Sequence, residues 1–365
     1  MTSAAPPVRA RRAKRSVVAV TGAASGLGRL IAERLSDDAG LGRVIAIDAT
    51  RGDLTAVTWR LCDVRDPSLA ARLGGVDVVV HGAVETSPDA GETERHELNV
   101  TGTNTVVTAA AAAGVRRVVL VTSAMVYGAL EDNPVPLGDD APVRAPDERS
   151  LVGDWVQMEQ LADRARRVHP GLSVTVLRPA TLTGPGADSA LTRHFEAPRL
   201  LVVRGREPFW QFCHVDDLVS AVGFAARGAL DGAVNVAADG WLTQHDVERI
   251  TGLRRLVLPA GVVFGTAERL HRIGVTPAPA SELAYLTQPW VVSCERLRAA
   301  GWQPGYDNEA ALRAQVAFTG DRIALMSRRV DRRDATRAAA GATVAVVGAV
   351  AIARARAVRR RRRTS

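Results

Sequence analysis

Three glycines, Gly22, Gly26 and Gly28, stand between a short apolar run (residues 17–20) and an amphipathic stretch (29–35). Glycine at such places lets backbone N–H groups close on a phosphate, and a helix opening directly behind them adds partial positive charge. A second apolar run ends in Asp48, 20 residues past Gly28. A carboxylate there accepts hydrogen bonds from ribose hydroxyls and repels a 2′-phosphate. Strand, glycine turn, helix and acid together predict a dinucleotide site, with Ser25 and Leu27 inside the turn. NAD is expected over NADP; Arg51 nearby keeps NADP open.

These residues need a scaffold. Further apolar runs lie at 43–47, 76–80, 117–121 and 173–177, with helix-like stretches between them, such as 102–113 and 155–168. Short continuous runs of this kind suit parallel strands covered on both faces. Strands alternating with helices imply right-handed crossovers. The expected fold is α/β, a Rossmann-like doubly wound parallel sheet with a smaller C-terminal substrate lobe. After about residue 184 the alternation weakens, and proline, glycine and short apolar pieces take over. The organisation expected is a basic tail (1–15), a dinucleotide-binding domain (16–184), a smaller lobe interleaved with the last sheet strands (185–320) and an Arg- and Ala-rich tail (321–365).

With 365 residues the chain is long enough to bury a full core. Its net charge of +8 is carried by its ends. The first 15 residues and the stretch from 354 onward hold 12 of the 47 basic residues and no acid, so the body carries 35 basic residues against 39 acidic ones. A mildly acidic body argues against a specific nucleic-acid surface, which needs its positive charge on a folded face. The three cysteines are far apart with no Cys-x-x-Cys, which fits a reducing cytoplasm. The seven histidines show no metal-ligand spacing, so no metal site is expected. The apolar run at 16–20 is too short for a signal peptide.

From about residue 17 to 312 the chain resembles the extended short-chain dehydrogenases, the NAD-dependent epimerase/dehydratase family. Leu61-Cys62-Asp63-Val64 is similar to the strand end whose Asp contacts adenine. Asp77-Val78-Val79-Val80-His81-Gly82-Ala83 resembles the strand beside the cofactor phosphates and ribose. Leu98-Asn99-Val100-Thr101-Gly102-Thr103, Ser123-Ala124-Met125-Val126-Tyr127-Gly128, Leu177-Arg178-Pro179 with Gly184-Pro185, His214-Val215-Asp216-Asp217 and Ala233-Val234-Asn235-Val236 resemble further family motifs in the family's order. The resemblance implies a cofactor site of Gly22, Ser25, Gly26, Leu27, Gly28, Asp48, Asp63, Val64, His81, Gly82, Ala83, Asn99 and Pro179. It also implies a sugar-like or nucleotide-sugar substrate, with homodimers through helices near the catalytic segment. His81 and Tyr127 match positions with structural and packing roles.

The family's chemistry rests on a Tyr-x-x-x-Lys pair, in which the tyrosine exchanges a proton with the substrate while hydride passes to or from the nicotinamide. This chain has one lysine, Lys14, and tyrosines only at 127, 285 and 306. Alignment through Glu159 and Leu161 puts Leu151 at the tyrosine position and Trp155 at the lysine position. Ser123 matches the third catalytic residue. It can hydrogen-bond a substrate hydroxyl but is no base, and a strand-end serine bonding backbone is an equal expectation. Asp154 and Glu159 are candidate bases if either faces the cleft; a solvent-facing or capping role is the simpler expectation. Trp210-Gln211-Phe212 stands where the family often has an arginine for a nucleotide-sugar phosphate, and Arg204 or Arg206 could reach in instead. The alternative function is an NAD-binding sensor or scaffold without turnover.

Residues 338–353 are Ala, Val, Gly, Ile and one Thr, between Arg337 and Arg354. As a helix the stretch would be roughly 24 Å long, short for a span. Arginine clusters on both sides favour peripheral contact with anionic lipid over a single crossing. The expectation is a cytoplasmic chain whose tail is either peripheral to the inner face of the membrane or a frayed Ala-rich helix with a basic end.

Overall fold

The computed structural model describes residues 15–228, 230–272, 280–319, 322–325 and 328–331. The first 14 residues and the apolar stretch 338–353 with its arginine-rich end lie outside the described residues. The chain opens with β1 (Val18–Thr21), α1 (Gly26–Ser36), β2 (Val44–Asp48), β3 (Thr58–Leu61), α2 (Leu69–Arg72) and β4 (Val78–His81). Next come α3 (Glu92–His96), a π-helical turn (Glu97–Thr101), α4 (Gly102–Ala112), β5 (Arg117–Val121) and a 3-10 turn (Ala124–Tyr127). Then follow α5 (Leu151–Val168), β6 (Ser173–Pro179), β7 (Thr181–Thr183), α6 (Ala190–His194), β8 (Leu200–Val203), β9 (Phe212–His214), α7 (Val215–Ala226) and β10 (Gly232–Val236). The last part holds α8 (Gln244–Thr251), β11 (Arg255–Leu258), α9 (Ala260–Arg272), a 3-10 segment (Ala280–Leu286), α10 (Glu295–Ala299) and α11 (Asn308–Thr319). A short antiparallel pair, Arg322–Leu325 with Arg328–Asp331, ends the described chain.

Seven strands form one parallel sheet in the order β10-β6-β5-β4-β1-β2-β3. Strand alternation divides the core between the two faces. Val18, Val20, Val44, Ala46, Val78, Val80, Val119 and Val121 join one cluster; Ala19, Ile45, Ile47, Val79, Val118 and Leu120 join the other. Both faces being covered, the central strands β1, β4 and β5 are apolar along most of their length, whereas the edge strand β3 (Thr58–Leu61) is partly exposed and mixed. The strand order reverses between β1 and β4, and the crevice at such a switch point is where α/β folds take ligands. β10 returns from the C-terminal half to pair with β6. Two small parallel pairs, β7 with β9 and β8 with β11, build the lobe over the strand ends. Among the described residues no helix is long and apolar enough to cross a membrane.

Candidate active site

A single cleft of about 1980 Å³ runs over the C-terminal ends of the central strands and under the lobe. At one end the turn from β1 to α1 forms its floor. Gly22 has φ +69°, and a Cβ there would stand 2.6 Å from Ala83 Cα. Gly28 lies beneath, where a Cβ would meet Gly22 O at 2.2 Å. Glycine at both places lets the start of α1 and the end of β4 close on the turn. A Cβ on Gly26 would meet nothing within 4 Å, so the turn is open on the cleft side. Ser25, the N-cap of α1, makes no side-chain cap bond, and the first turn of α1 holds no acid. A helix N-terminus left bare in this way suits an anion. The protein therefore fits a dinucleotide pyrophosphate at this end.

Asp48 ends β2 and is partly exposed; it accepts hydrogen bonds from the backbone N–H of Ala24 (3.1 Å) and Thr50 (3.3 Å). Asp63 and Val64 line the cleft beyond it. Arg65 engages both oxygens of Asp63, and that hydrogen-bonded guanidinium holds the carboxyl below its ordinary value. Gly82, Ala83 and Pro179 complete this half of the wall, with Ser25 and Leu27.

Three residues expected at the cofactor do not line the cleft. Gly28 is beneath the turn, as described. His81 is fully buried, with Nδ1 2.8 Å from Thr21 Oγ1 and Nε2 3.2 Å from Thr103 Oγ1. Burial pushes its pKa down to about 4, so it is a neutral tie between β1, β4 and α4. Asn99 sits in the π-helical turn, accepting from Glu85 N (2.8 Å) and donating to Glu85 O (3.0 Å). It holds the cleft-lining loop after β4 without facing the cleft itself. The resemblance places these two beside the cofactor; in the fold they lie behind residues that line the cleft.

The middle of the cleft carries Ser123, Leu151 and Trp155. Ser123 caps the 3-10 turn, its Oγ accepting from Met125 N at 3.2 Å. That bond leaves the hydroxyl hydrogen available to a ligand. Ser150 caps α5, accepting from Gly153 N at 3.0 Å, and so fixes where Leu151 and Trp155 begin their helix.

Neither candidate base faces the cleft, and neither is solvent-exposed. Asp154 is 0% exposed and accepts from Arg95 Nε (2.8 Å) and Asn99 Nδ2 (3.4 Å), with His96 Nδ1 at 2.7 Å. Glu159 is buried on the other side of α5, bonded by Thr122 Oγ1 (2.8 Å) and forked by Arg178. Arg178 also donates to Tyr127 Oη (2.8 Å), which donates to Asn235 Oδ1 (2.8 Å). A buried acid needs a buried partner. Both partners come from distant elements, so α5 alone did not reveal these roles.

The far end of the cleft is walled by β11, α9 and the 3-10 segment 280–286, where Val257, Val262, Leu283, Leu286 and Trp290 line it. Arg204 lines this end, together with Arg199 and Arg269; Arg206 instead lies 3.3 Å from Glu131. Trp210, Gln211 and Phe212 are buried: Gln211 bonds backbone at Ala238 and Val292, and Trp210 Nε1 bonds Gln244. Glu282 also lines the cleft, partly exposed among apolar neighbours. No local motif in the sequence marks it.

The fold is Rossmann-like, a doubly wound parallel sheet with a smaller lobe over its strand ends. The sequence profile of the NAD dependent epimerase/dehydratase family matches residues 18–237, and the chain belongs to that family. An uncharacterised protein of Mycobacterium tuberculosis is 31% identical over 300 residues, covering 79% of this chain and 80% of that protein. A ketoreductase of Stigmatella aurantiaca acting on 4-hydroxy-2-methyl-3-oxo-4-farnesyl-3,4-dihydroquinoline-1-oxide is 30% identical over 185 residues, covering 47% of this chain and 52% of its own. Among solved structures, MoeE5 in complex with UDP-glucuronic acid and NAD superposes with a TM-score of 0.62 at 21% identity, covering 84% of this chain and 99% of that one.

Proposed function

We propose that the chain binds NAD in this cleft and acts as an oxidoreductase or epimerase on a hydroxyl-bearing, sugar-like or nucleotide-sugar substrate. One observation carries the reading: the bare N-terminus of α1, the Asp48 carboxylate and Ser123 open into the same cleft. Bound NAD would supply hydride acceptance and return. The turn at Gly22, Ser25, Gly26 and Leu27 takes the pyrophosphate on backbone N–H groups. Asp48 takes the adenosine ribose hydroxyls and disfavours a 2′-phosphate, which supports NAD over NADP. Asp63 and Val64 border the adenine; Gly82, Ala83 and Pro179 border the path toward the nicotinamide. Ser123 donates a hydrogen bond to the substrate oxygen. Arg199, Arg204 and Arg269 offer charge to a substrate phosphate at the far end.

A second reading, an NAD sensor or scaffold without turnover, is favoured by Leu151 and Trp155, which carry no exchangeable proton fit for the work. The two separate in one experiment: titrate NAD and NADP, then seek hydride transfer from bound NAD to hydroxyl substrates. NAD binding with turnover supports the enzyme, binding without any turnover supports the sensor, and no binding at millimolar cofactor removes both. A homodimer through helices near α5, and contact of the basic C-terminal tail with anionic lipid, belong to the same proposal. Light scattering and vesicle sedimentation test them.

A further inference from the structure

Glu282 stands where three pieces of chain meet. Its carboxyl lies close enough to the backbone N–H of Leu151, at the start of α5, to feel it. The segment carrying it is pinned on both sides. Ser281 Oγ donates to Glu148 Oε1 at 2.7 Å, just before α5. Tyr285 Oη donates to Met125 O at 2.6 Å, in the turn capped by Ser123. Trp290 Nε1 donates to Tyr285 O at 3.0 Å. Glu282 thereby joins Ser123, Leu151 and Trp155 on the lining of one cleft.

We propose that Glu282 is the proton-transfer residue of this cleft, in place of the family's tyrosine and lysine. The proposal rests on the oxidoreductase reading above. In alcohol oxidation, the carbinol C–H electron pair leaves as hydride to the nicotinamide of NAD. The hydroxyl proton passes to the Glu282 carboxylate, and the C=O double bond forms. Carbonyl reduction runs the same steps backward, with protonated Glu282 giving its proton to the new hydroxyl oxygen and NADH giving hydride to carbon.

The surroundings suit this work. Leu151, Trp155, Leu283 and Leu286 line the cleft with it, and removal from water disfavours a carboxylate. Burial pushes the Glu282 carboxyl up to about 7. Arg95 on α3 and the Leu151 N–H pull it down, while Glu148 before α5 and Asp154 on α5 push it up. On its own segment, Tyr285 is a neutral phenol, buried and bonded to Met125. Arg95 commits Nε to Asp154, and its positive charge draws the Glu282 carboxyl down against the burial. A group that holds both protonation states near neutral pH is what acid–base exchange requires.

The test uses the full chain as wild type and as two variants, Glu282→Gln and Glu282→Asp. NAD binding is measured by nicotinamide fluorescence, carboxyl protonation by carbodiimide amidation mapped from pH 4 to 9 (set about the carboxyl pKa range), and turnover by NADH-dependent reduction of 9,10-phenanthrenequinone and NAD-dependent oxidation of L-arabinose. The expected result is Glu282 amidation that persists to neutral pH and is blocked by NAD. Glu282→Gln should bind NAD normally but lose kcat by roughly 100-fold or more, with the neutral limb of the pH profile gone. Glu282→Asp should restore part of kcat. Glu282→Gln with unchanged kcat and pH profile overturns the proposal and leaves the oxidoreductase reading standing. So does Glu282 amidation confined to the pH range of ordinary carboxyls. A wild type that binds NAD yet moves hydride with neither probe removes proton transfer from Glu282. Failure of the wild type to bind NAD at all overturns the oxidoreductase reading itself.

Discussion

A valine at position 22 would set its Cβ 2.6 Å from Ala83 Cα and 2.7 Å from Ala83 N, on a backbone with φ +69°. The strand end and the turn cannot both keep their places. Gly22→Val is expected to abolish NAD binding, read by titration; unchanged affinity would remove the turn from the cofactor site. Asp48 makes a finer distinction. Asp48→Ala should weaken NAD by about tenfold, or ~1.4 kcal/mol, and weaken NADP less, because the carboxylate that holds a ribose hydroxyl repels a phosphate. Asp154 is expected to be sensitive to truncation. Asp154→Ala leaves Arg95 buried without its carboxylate, and loss of one partner of a buried pair costs roughly 3–5 kcal/mol. Denaturant unfolding should show that loss, with Asp154→Asn less affected.

Helix α1 shows how an element serves a ligand at its own expense. Its N-cap serine forms no cap bond and its first turn has no acid. Ser25→Asp should therefore stabilise the cofactor-free chain by about 0.5–1 kcal/mol, through a new cap and the helix dipole. The same carboxylate would face the pyrophosphate, so NAD affinity should fall; the two changes together, by unfolding and by titration, identify the bare terminus as a binding feature. This element was legible in the sequence because strand, turn and helix are contiguous. So were β5 (Arg117–Val121) and the run that became β2. Helix α5 was legible only in part. Its apolar spacing marked the helix, but the start at Leu151 depends on the Ser150 cap, and the buried roles of Asp154 and Glu159 depend on Arg95 and Arg178, 59 and 19 residues away. Glu282 was not legible at all: its meaning comes from Leu151, Ser123 and Trp155, which only the fold brings to it.

At the scale of the whole molecule, pH and ligand act on the same equilibrium. Burial holds His81 and His194 with pKa near 4, against an ordinary 6.5. Between those values the unfolded chain binds more protons than the folded one, so stability rises with pH across the window. It is fully present above about pH 6.5 and is lost as pH falls toward 4. Glu282 has the opposite sign: its raised pKa makes the folded carboxylate costly as pH climbs from about 4.5 to about 7. Glu282→Gln should therefore gain on the wild type in thermal unfolding at pH 8 and lose that advantage at pH 4. NAD at about 100 times its Kd should add ~2.7 kcal/mol and raise Tm by roughly 5 °C, and Gly22→Val should erase that rise. One feature of the cleft gives all these measurements a built-in signal. Trp155 and Trp290, two of the chain's six tryptophans, line the cleft, Trp155 at its middle and Trp290 at its far end. Indole emission overlaps the absorption of a reduced nicotinamide, so Trp155 is an energy-transfer donor set beside the cleft. The chain should dim when NADH enters and brighten when NAD replaces it, reporting the redox state of its occupant without any added label.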